Sequence, residues 1–324
     1  MNARGVGGRI EHMETTLRAA GRRSAGTSLV SYSWFVLGWT LLTIVLGAVV
    51  RATHSGDGCG ASWPSCDGTF LISSSSDSSR LIEFTHRAVS GLDLLFVTAL
   101  LVVVLRALPS GHRARRTAVW SLLSVIFEAA IGAMIVLYGW VAHDTSTPRQ
   151  ISVPLHLVNT FALTGLLALL VWQVQGGGRF SLTRDRGVRA LAGLAGLIVL
   201  VAATGATTAL ADTLFQAESI GHGLAQDLDT SSALIVRLRV LHPVIAVTVA
   251  VLVAVYVLRR LDEGVGVLAG RIVLGLLVVQ VTLGALHVAL LTPLATALLH
   301  LTIAQALWIA FAFFTFDRLE ERAT

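Results

Sequence analysis

The sequence predicts an all-α integral membrane protein, with eight transmembrane helices forming two tandem, pseudo-symmetric four-helix bundles. Three observations predict it. The first is composition: of 324 residues, 54% are hydrophobic and only 13% charged, and the mean hydropathy is +0.76, more apolar surface than a soluble core uses. The second is the set of apolar runs long enough to cross a hydrocarbon layer of about 30 Å. There are eight, near residues 33–52, 84–105, 117–138, 153–174, 189–210, 238–258, 270–291 and 294–315. The third is an internal repeat.

Orientation follows from charge. All 24 basic residues are arginine, and short loops rich in positive charge stay on the cytoplasmic side. Arg18, Arg22 and Arg23 precede the first span; Arg113, Arg115 and Arg116 lie between the second and third; Arg179, Arg184 and Arg186 between the fourth and fifth; Arg259 and Arg260 between the sixth and seventh. Those ends and both termini are expected in the cytoplasm of a cell-membrane protein. The intervening loops are poorer in arginine, include Glu218, Asp227 and Asp229, and are expected outside. The pI near 10.2 thus reflects topology and contact with membrane lipid, not nucleic-acid binding. Residues 1–30 lack a short apolar core followed by a small-residue cleavage site, so the first span is expected to act as an uncleaved insertion signal, and Met13 is an alternative start.

The repeat appears when the halves are overlaid. EFTHR at 83–87 matches RVLHP at 239–243, and PLHL at 154–157 matches LLHL at 298–301. In the odd-numbered spans, Glu128 and Gly132 align with Gln280 and Gly284. Two units of four crossings keep the same orientation, related by an axis along the membrane normal.

The repeat also organises the chemistry. His86, His156, His242 and His300 open every second span, so all four lie at one depth, within roughly two turns of the outer surface at about 1.5 Å per residue. A buried imidazole in lipid is costly unless it pairs or ligates. Bundles hold cofactors between facing helices, and haem iron accepts axial histidine, so one pair per half gives two haem sites. Zinc fits less well for want of closely spaced Cys/His ligands; copper stays open. His287 in the seventh span has no repeat counterpart and reads as a packing residue, and His54, His143 and His222 read as solvated loop residues.

Cys59 and Cys66 lie in the first outer loop, within CGASWPSC, and most simply form a disulfide on the oxidising side of a membrane; a structural staple and a redox role weigh equally. Glu83 stands three residues before His86 and four before Arg87, on one helical face. It is a candidate to reach whatever His86 holds, or simply to pair with Arg87 or cap the helix. The matching position is Arg239, which implies one reactive and one supporting site. Arg51, Arg87, Arg237 and Arg239 lie at the outer rim, where they could pair with haem propionates or snorkel to headgroups. Asp93 and Glu128 are intramembrane acids that either move protons or bond a neighbouring helix.

RATHSGDGCGASWPSCDG at 51–68, EFTHR, PLHL, LRVLHP at 238–243 and ALLHL at 297–301 resemble the haem A synthase family. The likeness runs from the first span to the eighth; His54 departs from the small residue usual in the family's R-x-T-x-S-G stretch. The resemblance implies that His242 and His300 hold a haem b cofactor, that His86 and His156 receive the substrate haem O, and that Glu83 is catalytic beside the reacting methyl group. That ring methyl would be oxidised to a formyl group by two successive hydroxylations with loss of water. It implies a haem O-forming farnesyltransferase upstream, a terminal haem-copper oxidase as product recipient, and an electron partner of unspecified kind. The expected divisions are a cytoplasmic extension at 1–30, a half with the substrate haem site at 31–176, a cytoplasmic linker at 177–187, a half with the haem b site at 188–317, and a cytoplasmic tail at 318–324. The competing readings are a two-haem, cytochrome b-like electron carrier and a haem-delivery assembly factor; a transporter is weaker, because no matched pair of Gly/Pro-broken helices appears.

Overall fold

The computed structural model describes residues 3–73, 76–180 and 186–320, with side chains from residue 27 onward. The expected roles of Arg18, Arg22, Arg23, Arg184, residues 181–185 of the 177–187 linker and residues 321–324 lie outside that description. The helices are α1 (Ala3–Ala52), α2 (Ser78–Ala107), α3 (Arg113–Leu137), α4 (Thr147–Val174), α5 (Arg186–Leu214), α6 (Ile220–Leu228), α7 (Leu234–Arg237), α8 (Leu241–Leu261), α9 (Val267–Ala289) and α10 (Leu294–Leu319). Eight spans are long and apolar enough to cross a membrane, Thr27–Ala52 in α1 and α7 with α8 counting as one each.

The predicted spans fall on these eight, with two differences. The third and seventh stop at Leu137 and Ala289, because both helices close in a six-to-one turn: Trp140 N–H donates to Ile135 O and Thr292 N–H to His287 O, each at 2.8 Å. The sixth is broken between Arg237 and Leu241, where Arg239 turns inward to meet Asp212 of α5 and Asp227 of the loop that follows it. That loop also carries α6, whose Ile220, Leu224 and Leu228 are exposed at a four-residue spacing along one face.

Caps set the other ends. Asp77 accepts from Arg80 N–H at the start of α2, the Nδ1 of His112 accepts from Ala114 N–H at α3, and Pro148 sits in the first turn of α4. In the loop after α8, Arg318 and Arg260 donate to Glu263 and hold its carboxyl below the usual range.

Packing runs in two closed rings. Helix α1 packs on α2, α2 on α3, α3 on α4 and α4 back on α1; α5 packs on α8, α8 on α9, α9 on α10 and α10 back on α5. Each ring has its own core, one built on Leu37, Leu100, Ala118 and Leu167, the other on Leu194, Val253, Val273 and Phe311. They meet where α4 touches α5 and α10, with Trp308 donating to Phe161 O at 2.8 Å and Thr164 to Gln305 at 3.0 Å. Helix α4 is therefore central, burying 56% of its most apolar window against 11% for α9. The outward residues are large and apolar, Leu95, Trp120, Leu268 and Val278 among them, as a lipid-facing surface requires.

Candidate functional site

The four histidines gather at one end of the bundle, the end that carries the disulfide. Each sits in front of a glycine on the preceding odd-numbered span. A Cβ built on Gly47 of α1 would stand 3.0 Å from His86 of α2, one on Gly205 of α5 2.9 Å from His242 of α8, and one on Gly284 of α9 3.1 Å from His300 of α10. Gly132 of α3 faces His156 of α4 at 3.9 Å. Three of these glycines thus leave room for a ring that an alanine methyl would invade. Gly132 and Gly284 were visible in the repeat; Gly47 and Gly205 were not, because their partners are fixed only by packing.

The structure places the histidines near one another two by two. His242 and His300 lie with ring centroids 6.5 Å apart and planes at 86°, and His86 and His156 are electrostatic neighbours. His287 is also drawn in: its ring stacks 6.4 Å from that of His300, while its Nδ1 meets Thr296 Oγ1 at 2.7 Å. It is a satisfied packing residue, as expected, but it packs against the site.

The surroundings of the rings differ between pairs. Glu128 Oε1 stands 3.0 Å from His156 Nδ1, close in distance though without hydrogen-bond alignment. Asn159 and Thr160 donate to the Glu128 carboxylate, each at 2.5 Å. At the matching place, Gln280 Nε2 lies 3.1 Å from His300 Nε2. His242 Nδ1 meets Thr204 Oγ1 at 3.1 Å, and the His86 ring reaches the Thr43 backbone of α1. The Nδ1 atoms of His86, His156 and His300 are buried with no aligned hydrogen bond. Among the described residues no group of three or more His, Cys, Asp or Glu side chains is arranged for a metal ion. The donor sets are histidine pairs, which suits a group taking two axial imidazoles, and the unmatched nitrogens and glycine-backed seats fit an iron porphyrin.

Glu83 is engaged through both carboxylate oxygens. Its Oε2 accepts from Cys59 N–H at 2.7 Å, and its Oε1 from Arg87 Nη2 at 2.6 Å. Arg87 Nη1 in turn donates to Ser62 O at 2.6 Å and Ser65 O at 2.5 Å. Cys59 and Cys66 are joined in a disulfide, so Glu83 and Arg87 clasp the disulfide loop onto α2 one turn from His86. Of the roles weighed for Glu83, the pairing with Arg87 is seen directly.

The rim arginines separate similarly. Arg239 is buried and bound to Asp212 at 3.2 Å, Asp227 at 2.7 Å and Gln226 at 2.9 Å. Arg51 Nη1 donates to Ala209 O and Thr213 Oγ1 of α5, each at 2.5 Å. Arg237 is exposed, beside Asp229. In the loops, His54 and His143 stack at 4.2 Å. Asp93 accepts from Thr40 at 2.8 Å inside the first ring.

Fold and site thus define a multi-pass membrane protein with two histidine pairs at one depth. Residues 31–312 match the model of the cytochrome oxidase assembly protein family (COX15-CtaA). The chain belongs to that family. It is 41% identical over 313 residues to a protein of Thermus thermophilus named Protoheme IX farnesyltransferase, covering 92% of this chain and 50% of that protein. It is 44% identical over 97 residues to the Heme A synthase of Symbiobacterium thermophilum, 30% of this chain and 31% of that one. It is 31% identical over 143 residues to the Heme A synthase of Listeria welshimeri, 44% of this chain and 45% of that one. The chain spans about half the length of the Thermus relative and less of the others.

Proposed function

We propose that this chain is a haem A synthase, which oxidises a ring methyl group of haem O to a formyl group by two successive hydroxylations. The observation that carries the reading is the fourfold seat of histidine on glycine, resolved into two pairs with a carboxylate beside only one. Family membership and the two relatives named Heme A synthase support it. The Thermus protein named for farnesyl transfer is matched over only half its length, so that activity can reside in its other half; it supports a haem O-forming farnesyltransferase as the upstream partner.

His242 and His300 hold haem b, in residues 188–317, and His86 and His156 hold haem O, in residues 31–176. Bound haem b supplies one-electron transfer. The chain's own residues supply the rest. Glu128 orients His156, the glycines admit the rings, and Glu83 keeps the disulfide loop closed over the His86 edge and serves proton transfer there. The disulfide end faces outward, both termini face the cytoplasm of a cell membrane, and the product passes to a terminal haem-copper oxidase.

One observation favours a second reading, a two-haem electron carrier: both Glu83 oxygens are already taken by Arg87 and Cys59 N–H. Co-expression with a haem O-forming farnesyltransferase, followed by chromatography and mass analysis of extracted haems, separates the two. Haem A or its hydroxylated intermediate is expected with the intact chain and absent with His86→Ala. Glu83→Ala is expected to stall product while haem b stays bound. Recovery of haem b beside untouched haem O under aerobic conditions would install the electron carrier instead.

A further inference from the structure

Four arginines stand where α2 turns into α3: Arg106 in the last turn of α2, and Arg113, Arg115 and Arg116 in the first turn of α3. No Asp or Glu occurs between Asp93 and Glu128, and among the described residues none of the four arginines is in an ion pair. Arg113 donates to the carbonyl oxygens of Gly177 and Gly178, and Arg115 to that of Leu108 at 3.3 Å; these bonds occupy donors without supplying negative charge. The N-terminus of a helix is itself positive, so cations in the first turn of α3 oppose its dipole. The matching turn of the second ring is built differently. Between α8 and α9, Arg260, at 2.7 Å, and Arg318 both reach Glu263, so there the protein provides its own anion.

What lies beside the arginines tells which anion suits the first turn. An open groove of about 380 Å³ runs between α2 and α3, with Ser110, Arg115 and Arg116 at the turn and Leu105, Val119, Trp120 and Leu123 along its wall. The wall residues are exposed on the lipid-facing surface, and Leu123 lies two turns into the span from Arg115. Guanidiniums at one end and an aromatic and aliphatic wall below them match an amphiphile. The fork of arginine fits a phosphate, tryptophan settles at headgroup level, and basic pockets between spans hold acidic lipid headgroups. We propose that the α2–α3 turn is a binding site for an anionic phospholipid, with Arg115 and Arg116 on its phosphodiester and an acyl chain along Val119, Trp120 and Leu123. A free inorganic anion would use the guanidiniums and leave the wall idle. Arg115 precedes Gly132, which faces His156, by about 25 Å of helix, so the site does not depend on what the histidines hold.

The test counts the lipids kept by the purified full-length chain in native mass spectrometry, titrated in detergent with phosphatidylglycerol or with phosphatidylcholine of the same acyl chains. An arginine beside an acidic headgroup contributes about fivefold, so one phosphatidylglycerol is expected to bind about 30-fold more tightly than phosphatidylcholine. Arg116 is exposed and makes no hydrogen bond among the described residues, so Arg116→Gln leaves the fold intact and is expected to lower the preference about fivefold. Adding Arg115→Gln is expected to abolish it, and Arg259→Gln, at the turn that carries Glu263, to leave it unchanged. Trp120→Ala is expected to weaken phosphatidylglycerol several-fold with the charges untouched. Equal retention of the two lipids by the wild type, or a preference that survives the double substitution, would overturn the proposal. So would displacement of phosphatidylglycerol by an equal concentration of sodium phosphate, or an unchanged affinity in Trp120→Ala, since either would leave the turn to a free anion and the groove without a chain.

Discussion

At equivalent places in the two rings, α3 presents Glu128 to His156 at 3.0 Å and α9 presents Gln280 to His300 at 3.1 Å. The carboxylate is held by Asn159 and Thr160; the amide leaves its Oε1 buried and unbonded. The seat is alike in the two rings and the charge beside it differs. A carboxylate near a ligating imidazole fixes its tautomer and makes it a stronger donor, which an amide does not. The first ring also holds Asp93 and Glu83, and where Glu83 stands the second ring has Arg239. On the proposed function, the half assigned to chemistry and the half assigned to electron transfer would differ in the residues behind the histidines rather than in the histidines themselves.

Exchanging those two residues should have the largest effect. Glu128→Gln is expected to lower haem A formation about 10- to 100-fold and to raise the reduction potential of the first-ring haem. Gln280→Glu should lower the potential of haem b. Potentiometric titration of the purified variants reads both, and unmoved potentials would erase the distinction between the halves.

The glycines sharpen the comparison next. Gly205→Ala puts a methyl 2.9 Å from His242 Cε1, whereas Gly132→Ala meets His156 only at 3.9 Å. The former is expected to cost about 1–3 kcal/mol of overpacking and to release haem b, while the latter is tolerated. Haem content per chain after purification checks this, and equal losses would show that the seats do not depend on the close approach.

The smallest effect lies at the turns that end α3 and α9. Gly139 enters the left-handed region at φ 69°, and its counterpart Leu291 does so at φ 60° despite its side chain. Leu291→Gly is expected to stabilise the second ring by about 1 kcal/mol, seen as a raised thermal midpoint in detergent; a lowered one would mean that the leucine side chain contributes more than its backbone costs.

Much of this was legible in the chain because the signals are local. Apolar runs mark the spans, and the positions of His86, His156, His242 and His300 relative to them mark a common depth. The Glu128/Gln280 correspondence was readable because repeat alignment needs no packing. What stayed hidden depends on neighbours distant in sequence. Gly47 and Gly205 acquire meaning only when α2 and α8 press against them. Arg239 looked free because its acids lie on the preceding helix and loop, at Asp212 and Asp227. Glu83 looked available to His86 because nothing in the spacing says that the Cys59 N–H will fold back to it.

Every seat described above is built from two consecutive spans: α1 with α2, α3 with α4, α5 with α8, and α9 with α10. Each membrane hairpin therefore carries one whole half-site, completed as soon as its second helix enters the bilayer. A chain inserted from its N-terminus would own its first pair after four crossings and its second only after eight, so the two sites mature in sequence, and the one nearer the ribosome is always the last to be ready.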